Sequence, residues 1–281
     1  MRIGIFDSGY GGLTILDSIR KRLPGYDYVY LGDNARAPYG TRSFEVIYRY
    51  TWQAVRYLFE QDCALIILAC NTASAKALRT IQQHDLPEVW ARDNGQMRTQ
   101  DLRRVLGVIR PTVESVPAQT SSGHVGILGT PGTISSDSYP IELHKVCPDL
   151  TVVQQACPMW VPLIESGEHR NDGADWFVAK YLNELLARDP QIDTIVLGCT
   201  HYPLLLPKIQ RQLAGLPIRL VCQGDIVADR LADYLQRHAD LRGVLSQGGQ
   251  CRYLTTEDAD KFRQSASVFL SELIDVTRVE L

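Results

Sequence analysis

The sequence lacks the features that mark membrane proteins and nucleic-acid-binding proteins. No apolar stretch approaches the roughly 20 residues that a membrane helix needs, and Asp7 interrupts the apolar N-terminal run, which argues against a signal peptide. The 29 basic and 32 acidic residues give a formal net charge of −3, so no positive excess points to nucleic acid or an anionic lipid surface. We therefore expect a cytoplasmic protein with neither a nucleic-acid partner nor a membrane partner.

Closely spaced cysteine pairs are also missing. The chain has seven cysteines, an odd number, and no C-x-x-C motif, which argues against a disulfide framework and a structural zinc site. We expect no metal site, and free thiols in a reducing cytoplasm. Most of them are expected to be core residues, because free cysteine is among the most buried residue types. The seven are Cys63, Cys70, Cys147, Cys157, Cys199, Cys222 and Cys251.

Short apolar runs alternate with amphipathic stretches along the 281 residues, a length that suits one large or two medium domains. The runs are rich in Ile, Val and Leu and show little period-2 alternation, which is typical of parallel strands covered on both faces. The pattern predicts an α/β fold with mainly parallel sheets. The predicted strands are Arg2–Phe6, Tyr28–Leu31, Ala64–Leu68, Val105–Ile109, His124–Leu128, Thr151–Gln154, Asp193–Leu197 and Ile218–Val221. The predicted helices are Leu13–Leu23, Phe44–Gln61, Asp175–Leu186 and Ile226–Leu235.

Two pairs of segments repeat in the same order. The strand and Gly-bearing turn of Ile3–Gly9 reappear in Val125–Gly132, and Ile66–Thr72 pairs with Ile195–His201. This repetition predicts two similar α/β domains. Because ligands of open α/β sheets bind at the carboxyl ends of the strands, sheets that face each other would share one cleft.

Each member of the second pair is an apolar strand that ends in a small residue, a cysteine and hydrogen-bonding side chains. A single cysteine in that place is usually a small core residue. Cys70 and Cys199 in matched positions leave a core role and a functional role about equally open.

Two thiols on opposite sides of a cleft suit one particular chemistry. Inverting an α-carbon without a cofactor requires one group that removes a proton from one face and a second that delivers a proton to the other. A thiol suits both tasks, because its reference pKa of about 8.5 lies close to cellular pH.

Six segments, in this order along nearly the whole chain, carry a strong resemblance to a known family. They are Asp7–Gly12, Gly32-Asp33 through Pro38-Tyr39-Gly40, Ala69–Ser74, Gly129–Thr133, Val161–Glu165 and Gly198–Leu204. Together they closely resemble the glutamate racemase family of bacterial cell-wall synthesis. The resemblance implies a cofactor-independent isomerase that interconverts L- and D-glutamate, supplies D-glutamate for peptidoglycan and forms a homodimer.

The resemblance also implies roles for individual residues. Cys70 and Cys199 would be the paired acid and base, Cys70 acting on the D isomer and Cys199 on the L isomer. Three other residues would assist proton transfer, namely Asp7, His201 and Glu165. The substrate would be bound by Asp7, Ser8, Tyr39, Gly40, Asn71, Thr72, Thr200 and His201. Hydroxyls, an amide and backbone N–H groups can bind a dianionic amino acid without burying many charges.

Each assisting residue also has a structural interpretation. Asp7 could cap the helix that begins near Gly12, His201 could be a hydrogen-bonded core residue or start a helix, and Glu165 could be a surface residue before Gly167.

The chain departs from the family pattern in three places. Glu88–Arg104 is an extra stretch, which we interpret as a solvated surface excursion. Met159-Trp160 replaces a more usual Leu-Phe, and Cys222-Gln223-Gly224 replaces a more usual acidic segment. The last two could alter packing or dimer geometry.

Alternative functions remain open from the sequence. One is a racemase of the same type for aspartate or another amino acid. Another is a cysteine hydrolase or amidotransferase that uses Cys199 with His201 and Asp7. A third is an amino-acid-binding sensor without catalysis.

For the architecture we predict two domains with the site between them. Residues 1–114 and 221–281 would form the first, and residues 115–220 the second.

Overall fold

The computed structural model describes residues 1–91, 103–270 and 272–281. Of the extra stretch Glu88–Arg104, only the two ends lie within these ranges: the chain leaves a helix at Ala91, and Arg104 begins a strand. The predicted surface excursion therefore lies mostly outside the described residues. No helix within the described ranges is both long and apolar enough to span a bilayer.

Ten strands form two sheets, and every strand pairing among the described residues is parallel. The first sheet has the order β10-β9-β2-β1-β3-β4, and the second has the order β6-β5-β7-β8. The strands are β1 (Arg2–Asp7), β2 (Tyr28–Gly32), β3 (Cys63–Leu68), β4 (Arg104–Gly107), β5 (His124–Gly129), β6 (Thr151–Ala156), β7 (Thr194–Gly198), β8 (Arg219–Val221), β9 (Cys251–Thr255) and β10 (Val276–Arg278).

Helices cover both sheets. They are α1 (Gly12–Arg22), α2 (Phe44–Glu60), α3 (Asn71–Lys76), α4 (Leu78–Thr80), α5 (Leu86–Ala91), α6 (Ile109–Ser115), α7 (Pro131–Ile134), α8 (Ser138–Val146), α9 (Trp160–Glu165), α10 (Asp172–Arg188), α11 (Leu206–Gln212), α12 (Gln223–Arg237), α13 (Ala239–Val244) and α14 (Ala259–Ala266). Short 3-10 helices lie at Asn34–Arg36, Val116–Ala118, Glu168–Arg170 and Tyr202–Leu205, and a π-helical turn joins α4 to α5 at Ile81–Asp85.

The sheets have the two buried faces that the apolar runs predict. On β3, Leu65 and Ile67 pack into one core cluster, and Ile66 and Leu68 pack into the cluster on the other face. On β7, Ile195 faces one cluster and Val196 the other. The α/β fold with mainly parallel sheets is therefore confirmed.

The repeated segments occupy equivalent places in the two sheets. Within the first sheet the run β2-β1-β3-β4 has the same neighbour order as β6-β5-β7-β8, so that β1 corresponds to β5 and β3 to β7. The predicted domain limits, residues 1–114 with 221–281 and residues 115–220, remain a proposal.

The sequence pattern predicts the end of one strand wrongly and does not predict two other strands. The predicted strand Val105–Ile109 ends at Gly107, and Ile109 already begins α6, because a short apolar run does not distinguish a strand from a buried helix start. Strands β9 and β10, which lie on the far side of β2, were not predicted. Only Tyr253, Leu254 and Thr255 of β9 are buried, and β10 has three residues, so neither carries a long apolar run.

Candidate active site

A cavity opens where the carboxyl ends of strands from both sheets meet. The turns that follow β1 and β3 line it from the first sheet, and the turns that follow β5, β6 and β7 line it from the second. Its lining consists of Asp7, Ser8, Gly9, Ala37, Pro38, Gly40, Thr41, Cys70, Asn71, Thr72, Thr130, Pro131, Cys157, Pro158, Val161, Pro162, Glu165, Cys199, Thr200 and His201. Both predicted cysteines therefore border one cavity, one from each sheet.

Cys70 lies between strand β3 and helix α3. It caps the helix, since its Sγ accepts a hydrogen bond from the Ala73 N–H at 3.4 Å. The Ser8 hydroxyl lies 3.2 Å from the same sulfur. Burial raises the pKa of the Cys70 thiol to about 12, and the charge of Asp7 contributes to the rise. Cys70 is therefore a thiol at neutral pH.

Cys199 occupies the equivalent place after β7 and has a different partner. Its Sγ lies 3.8 Å from Nδ1 of His201, and Nε2 of His201 lies 2.9 Å from Oε1 of Glu165. Burial alone would lower the pKa of His201, but the contacts with Cys199 and Glu165 raise it to about 10. The imidazole is thus held as a cation at neutral pH, with its Nδ1 facing the sulfur of Cys199.

Asp7 ends strand β1 with its side chain almost completely buried. Its Oδ2 accepts the Gly9 N–H at 2.9 Å. Burial raises the pKa of Asp7, while His201 and the N–H groups of Gly9 and Gly12 act in the opposite direction. The side chain accepts a hydrogen bond within the turn before α1 and also borders the cavity. A role of Asp7 in proton transfer stays a prediction.

Small residues allow the turns of the two sheets to approach closely. A Cβ atom on Gly11 would lie 2.3 Å from Nδ1 of His201 and 2.4 Å from Oγ1 of Thr200. Thr14 fastens the same contact, because its hydroxyl lies 2.8 Å from the Gly11 carbonyl and 3.1 Å from the Thr200 carbonyl. The place of the His201 ring thus depends on the absence of a side chain at position 11.

Hydroxyl groups of residues that follow β3 and β5 cluster at the cavity. Thr72 Oγ1 lies 2.9 Å from Thr130 Oγ1, which in turn lies 3.1 Å from Thr133 Oγ1. The backbone closes the same contact between the sheets, since the Gly132 N–H donates to the Gly40 carbonyl at 2.7 Å. The cavity is therefore bordered here by neutral hydrogen-bonding groups and not by charged side chains.

Two predicted binding residues turn their side chains elsewhere. Tyr39 is buried, does not border the cavity and donates its hydroxyl to Asp33. Asn71 borders the cavity, but its amide group hydrogen-bonds Gln223 and Tyr139. The other predicted site residues all border the cavity. Substrate binding by any of them stays a prediction.

Several cavity residues were absent from the predicted site, and two of them directly follow strands of the second sheet. Thr130 follows β5, and Cys157 follows β6. Both lie at the carboxyl end of a parallel strand, where ligands of open α/β sheets bind, so this signal could have identified them.

Comparison with known proteins decides the family. Residues 13–231 match the family model for Asp/Glu/hydantoin racemases. The chain belongs to this family. It is therefore an isomerase of the racemase class. A glutamate racemase of Ruegeria sp. is 39% identical over 280 residues, which cover 96% of this racemase and 97% of the relative. A glutamate racemase of Geobacter metallireducens is also 39% identical, over 99% of this chain and 96% of the relative.

Solved structures agree with this assignment. A glutamate racemase isoform from Bacillus anthracis superposes with a TM-score of 0.86 at 32% identity, covering 100% of this racemase and 97% of that chain. The glutamate racemase of Francisella tularensis, solved in complex with D-glutamate, gives a TM-score of 0.84 at 30% identity, with coverage of 99% and 97%.

Proposed function

We propose that this racemase interconverts L- and D-glutamate by moving protons between Cys70, Cys199 and the α-carbon of the substrate, without a cofactor. The observation that carries the proposal is that both thiols border one cavity, and that they reach it from equivalent turns of opposite sheets. The names of the similar proteins support glutamate as the substrate.

The two cysteines are prepared for different halves of the reaction. His201 stands as a cation 3.8 Å from Cys199, so we assign to Cys199 the role of the base that removes the α-proton of the L isomer. Cys70, a buried thiol, delivers its proton to the opposite face. The D isomer reacts in reverse, with Cys70 as the base.

Proton return follows from the same electrostatics. After an L substrate has become D, Cys70 is a thiolate and Cys199 a thiol. The buried thiolate of Cys70 next to Asp7 is unfavourable, so Cys70 takes up a proton from water and Cys199 releases its proton to water, which restores the starting form. Glu165 holds the His201 cation in place at 2.9 Å while charge moves at Cys199. Asp7 and His201 therefore assist opposite ends of the transfer.

The cavity suits a small molecule with two carboxylates and one ammonium group. Hydroxyls of Ser8, Thr72 and Thr130 line it, and hydroxyls donate to carboxylates. Asp7 and Glu165 provide the negative charge that an ammonium group requires. Stabilisation of the carbanion that forms at the α-carbon depends on such fixed groups, because the α-proton of an amino acid is weakly acidic.

The test is a comparison of substrates with protein that has been freed of metal and of pyridoxal phosphate. Racemisation of L-glutamate and L-aspartate is followed by the loss of optical activity. Turnover of glutamate at least about 100-fold faster, by kcat/KM, supports glutamate as the substrate. Faster turnover of aspartate identifies an aspartate racemase of the same type, and activity that needs added cofactor rejects the cofactor-independent mechanism.

We also propose a cellular role and an assembly. The similar proteins are glutamate racemases of bacteria, and the family resemblance implies that D-glutamate serves peptidoglycan synthesis in the cytoplasm. A homodimer is proposed on the same basis. Sedimentation at micromolar protein concentration tests the homodimer, since a species of about twice the 31.5 kDa chain mass is expected.

A further inference from the structure

We propose that Gln223 is a positioning residue that holds the turns of both reacting cysteines by closing a ring of three hydrogen bonds with Asn71 and Tyr139. This inference rests on the proposed two-cysteine function. Gln223 is the first residue of α12, where the chain returns from β8 of the second sheet toward the first sheet.

The three side chains satisfy one another in a consistent direction. The Asn71 amide donates from Nδ2 to Oε1 of Gln223 at 2.6 Å, and Gln223 donates from Nε2 to the Tyr139 hydroxyl at 2.9 Å. That hydroxyl donates to Oδ1 of Asn71 at 2.8 Å and closes the ring. All three residues are at most 2% exposed, and hydrogen bonds in such buried rings reinforce one another.

The ring is attached to the turn of Cys70 through the backbone. Asn71 directly follows Cys70 and is the first residue of α3, the helix that Cys70 caps. With its amide held by Gln223 and Tyr139, the side chain of Asn71 fixes the start of this helix. The sulfur of Cys70 is therefore fixed relative to the second sheet as well as the first, because Tyr139 belongs to α8.

The ring also contacts the turn of Cys199. The aromatic ring of Tyr139 packs on Gly198, where an added Cβ would lie 3.1 Å from Cε2 of the tyrosine. Gly198 directly precedes Cys199. Gln223 itself borders, together with Cys199 and Thr200, a second cavity on the side of α1 and α12. One glutamine thus touches the supports of both reacting thiols.

Only a glutamine fills this position completely. Its carbonyl oxygen accepts from Asn71, and its NH2 group donates to Tyr139 and lies 3.0 Å from Oγ1 of Thr112 on α6. A glutamate at this position would lack the NH2 donor. A leucine has nearly the same size as glutamine but lacks both the donor and the acceptor. Either change removes the donor to the Tyr139 hydroxyl, and leucine also leaves Nδ2 of Asn71 without its acceptor. The loss of these buried hydrogen bonds costs free energy and lets the groups shift.

The experiment compares Gln223→Leu with Ser18→Ala. Ser18 donates to Oδ1 of Asp225 at 2.9 Å, so its variant loosens the start of the same helix without touching the ring. For Gln223→Leu we expect kcat to fall about 10- to 100-fold, because displacements near 1 Å at a reacting group cost about that much. Calorimetric titration with D-glutamate should still give the wild-type number of sites, and the α-deuterium isotope effect on kcat should equal or exceed the wild-type value. Ser18→Ala should remain within about 2-fold of the wild-type kcat.

Three results would overturn the inference: an unchanged kcat, a loss of binding sites in proportion to kcat, or a smaller isotope effect. A merely structural role gives the second result, and slowed product release gives the third. If Gln223→Leu does not fold, Tyr139→Phe breaks the same ring and keeps the packing on Gly198, and it must show the same behaviour. The double variant must lose less than the product of the single losses, since both changes break one unit.

The wild-type protein separates this inference from the proposed function. If wild-type protein does not racemise glutamate, the proposed function fails. If it does and the variants match it, only the role of Gln223 fails.

Discussion

His201 and Glu165 form a histidine–carboxylate pair with 2.9 Å between Nε2 and Oε1, and the imidazole is 5% exposed. The pair joins the end of α9 to the turn after β7. Because the other ring nitrogen faces Cys199 at 3.8 Å, the carboxylate controls the charge that Cys199 experiences.

The first prediction concerns that pair. In Glu165→Gln the carboxylate no longer raises the pKa of His201, while burial still lowers it. We expect the alkaline limb of kcat/KM for L-glutamate to move to lower pH by about 1 to 3 units. The ammonium group of the substrate titrates equally for both proteins, so the difference between the two profiles isolates His201.

Glu168→Gln is the matched control for this profile, since it removes the same charge from an exposed residue three positions away. Equal profiles for Glu165→Gln and the wild-type protein would contradict the role of Glu165.

The second prediction concerns the two thiols. A serine hydroxyl does not ionise near neutral pH, so Cys70→Ser and Cys199→Ser should each lose about 10²- to 10⁴-fold in kcat. The loss should occur from L-glutamate and from D-glutamate alike, because every turnover uses both residues. Cys63→Ser, at a buried cysteine away from the cavity, controls for the loss of a thiol. Nearly full racemisation by Cys70→Ser would contradict the two-cysteine mechanism, because one thiol would then suffice for both directions.

The third prediction concerns Gly11. A methyl group there would lie 2.3 Å from Nδ1 of His201, so Gly11→Ala should displace the imidazole and lower kcat about 100-fold. Gly25→Ala is the control, because no atom lies within 4 Å of its Cβ, and its activity should not change. Steady-state kinetics of both variants tests this prediction. A wild-type kcat for Gly11→Ala would show that catalysis does not depend on the position of the His201 ring.

The fourth prediction concerns stability in acid. Asp193 accepts hydrogen bonds from Thr120 and from the N–H groups of Ser121 and Ser122, at 2.6 to 2.7 Å. Burial alone would raise the pKa of Asp193, but these bonds lower it well below its ordinary value. The stabilisation is therefore complete above the ordinary value of about 3.9 and is lost as the pH falls through the lowered folded-state value.

Asp193→Asn should accordingly lower the free energy of unfolding by about 1.5 to 3 kcal/mol at neutral pH. Urea titrations at about pH 7 and about pH 3 should show a smaller difference from wild type at the lower pH. Asp149 is an exposed aspartate, so the control variant Asp149→Asn should have the wild-type free energy of unfolding at both pH values. A constant difference would show that the carboxylate charge of Asp193 is not what stabilises the loop.

The parts of the fold that were predicted correctly are those with long apolar runs. Strands β1, β3, β5 and β7 are buried on both faces, so their sequences are continuously apolar. Strands β9 and β10 lie at one edge of the first sheet, and their few buried residues leave no such run. Their pairing depends on the tertiary position of β2, which no local pattern contains.

The same distinction applies to the site. Cys70 and Cys199 were found because the segments that contain them repeat, each with a strand, a small residue and a cysteine, and because parallel strands bring their carboxyl ends to one edge of a sheet. Tyr39 lies in a loop, and its contact with Asp33 depends on how that loop folds. The ring of Gln223 joins residues 152 positions apart in sequence, so spacing along the chain could not indicate it.

The most direct test of the two-cysteine mechanism is the fate of the α-hydrogen in deuterated water. The reaction is stopped before about one tenth of the L-glutamate has reacted. The two isomers are then separated, and each is examined by proton NMR. Two bases on opposite faces predict D-glutamate that carries deuterium at the α-carbon, while the recovered L-glutamate keeps its proton. Deuterium that enters recovered L-glutamate as fast as D-glutamate forms would contradict the mechanism, because it would show one base that serves both faces.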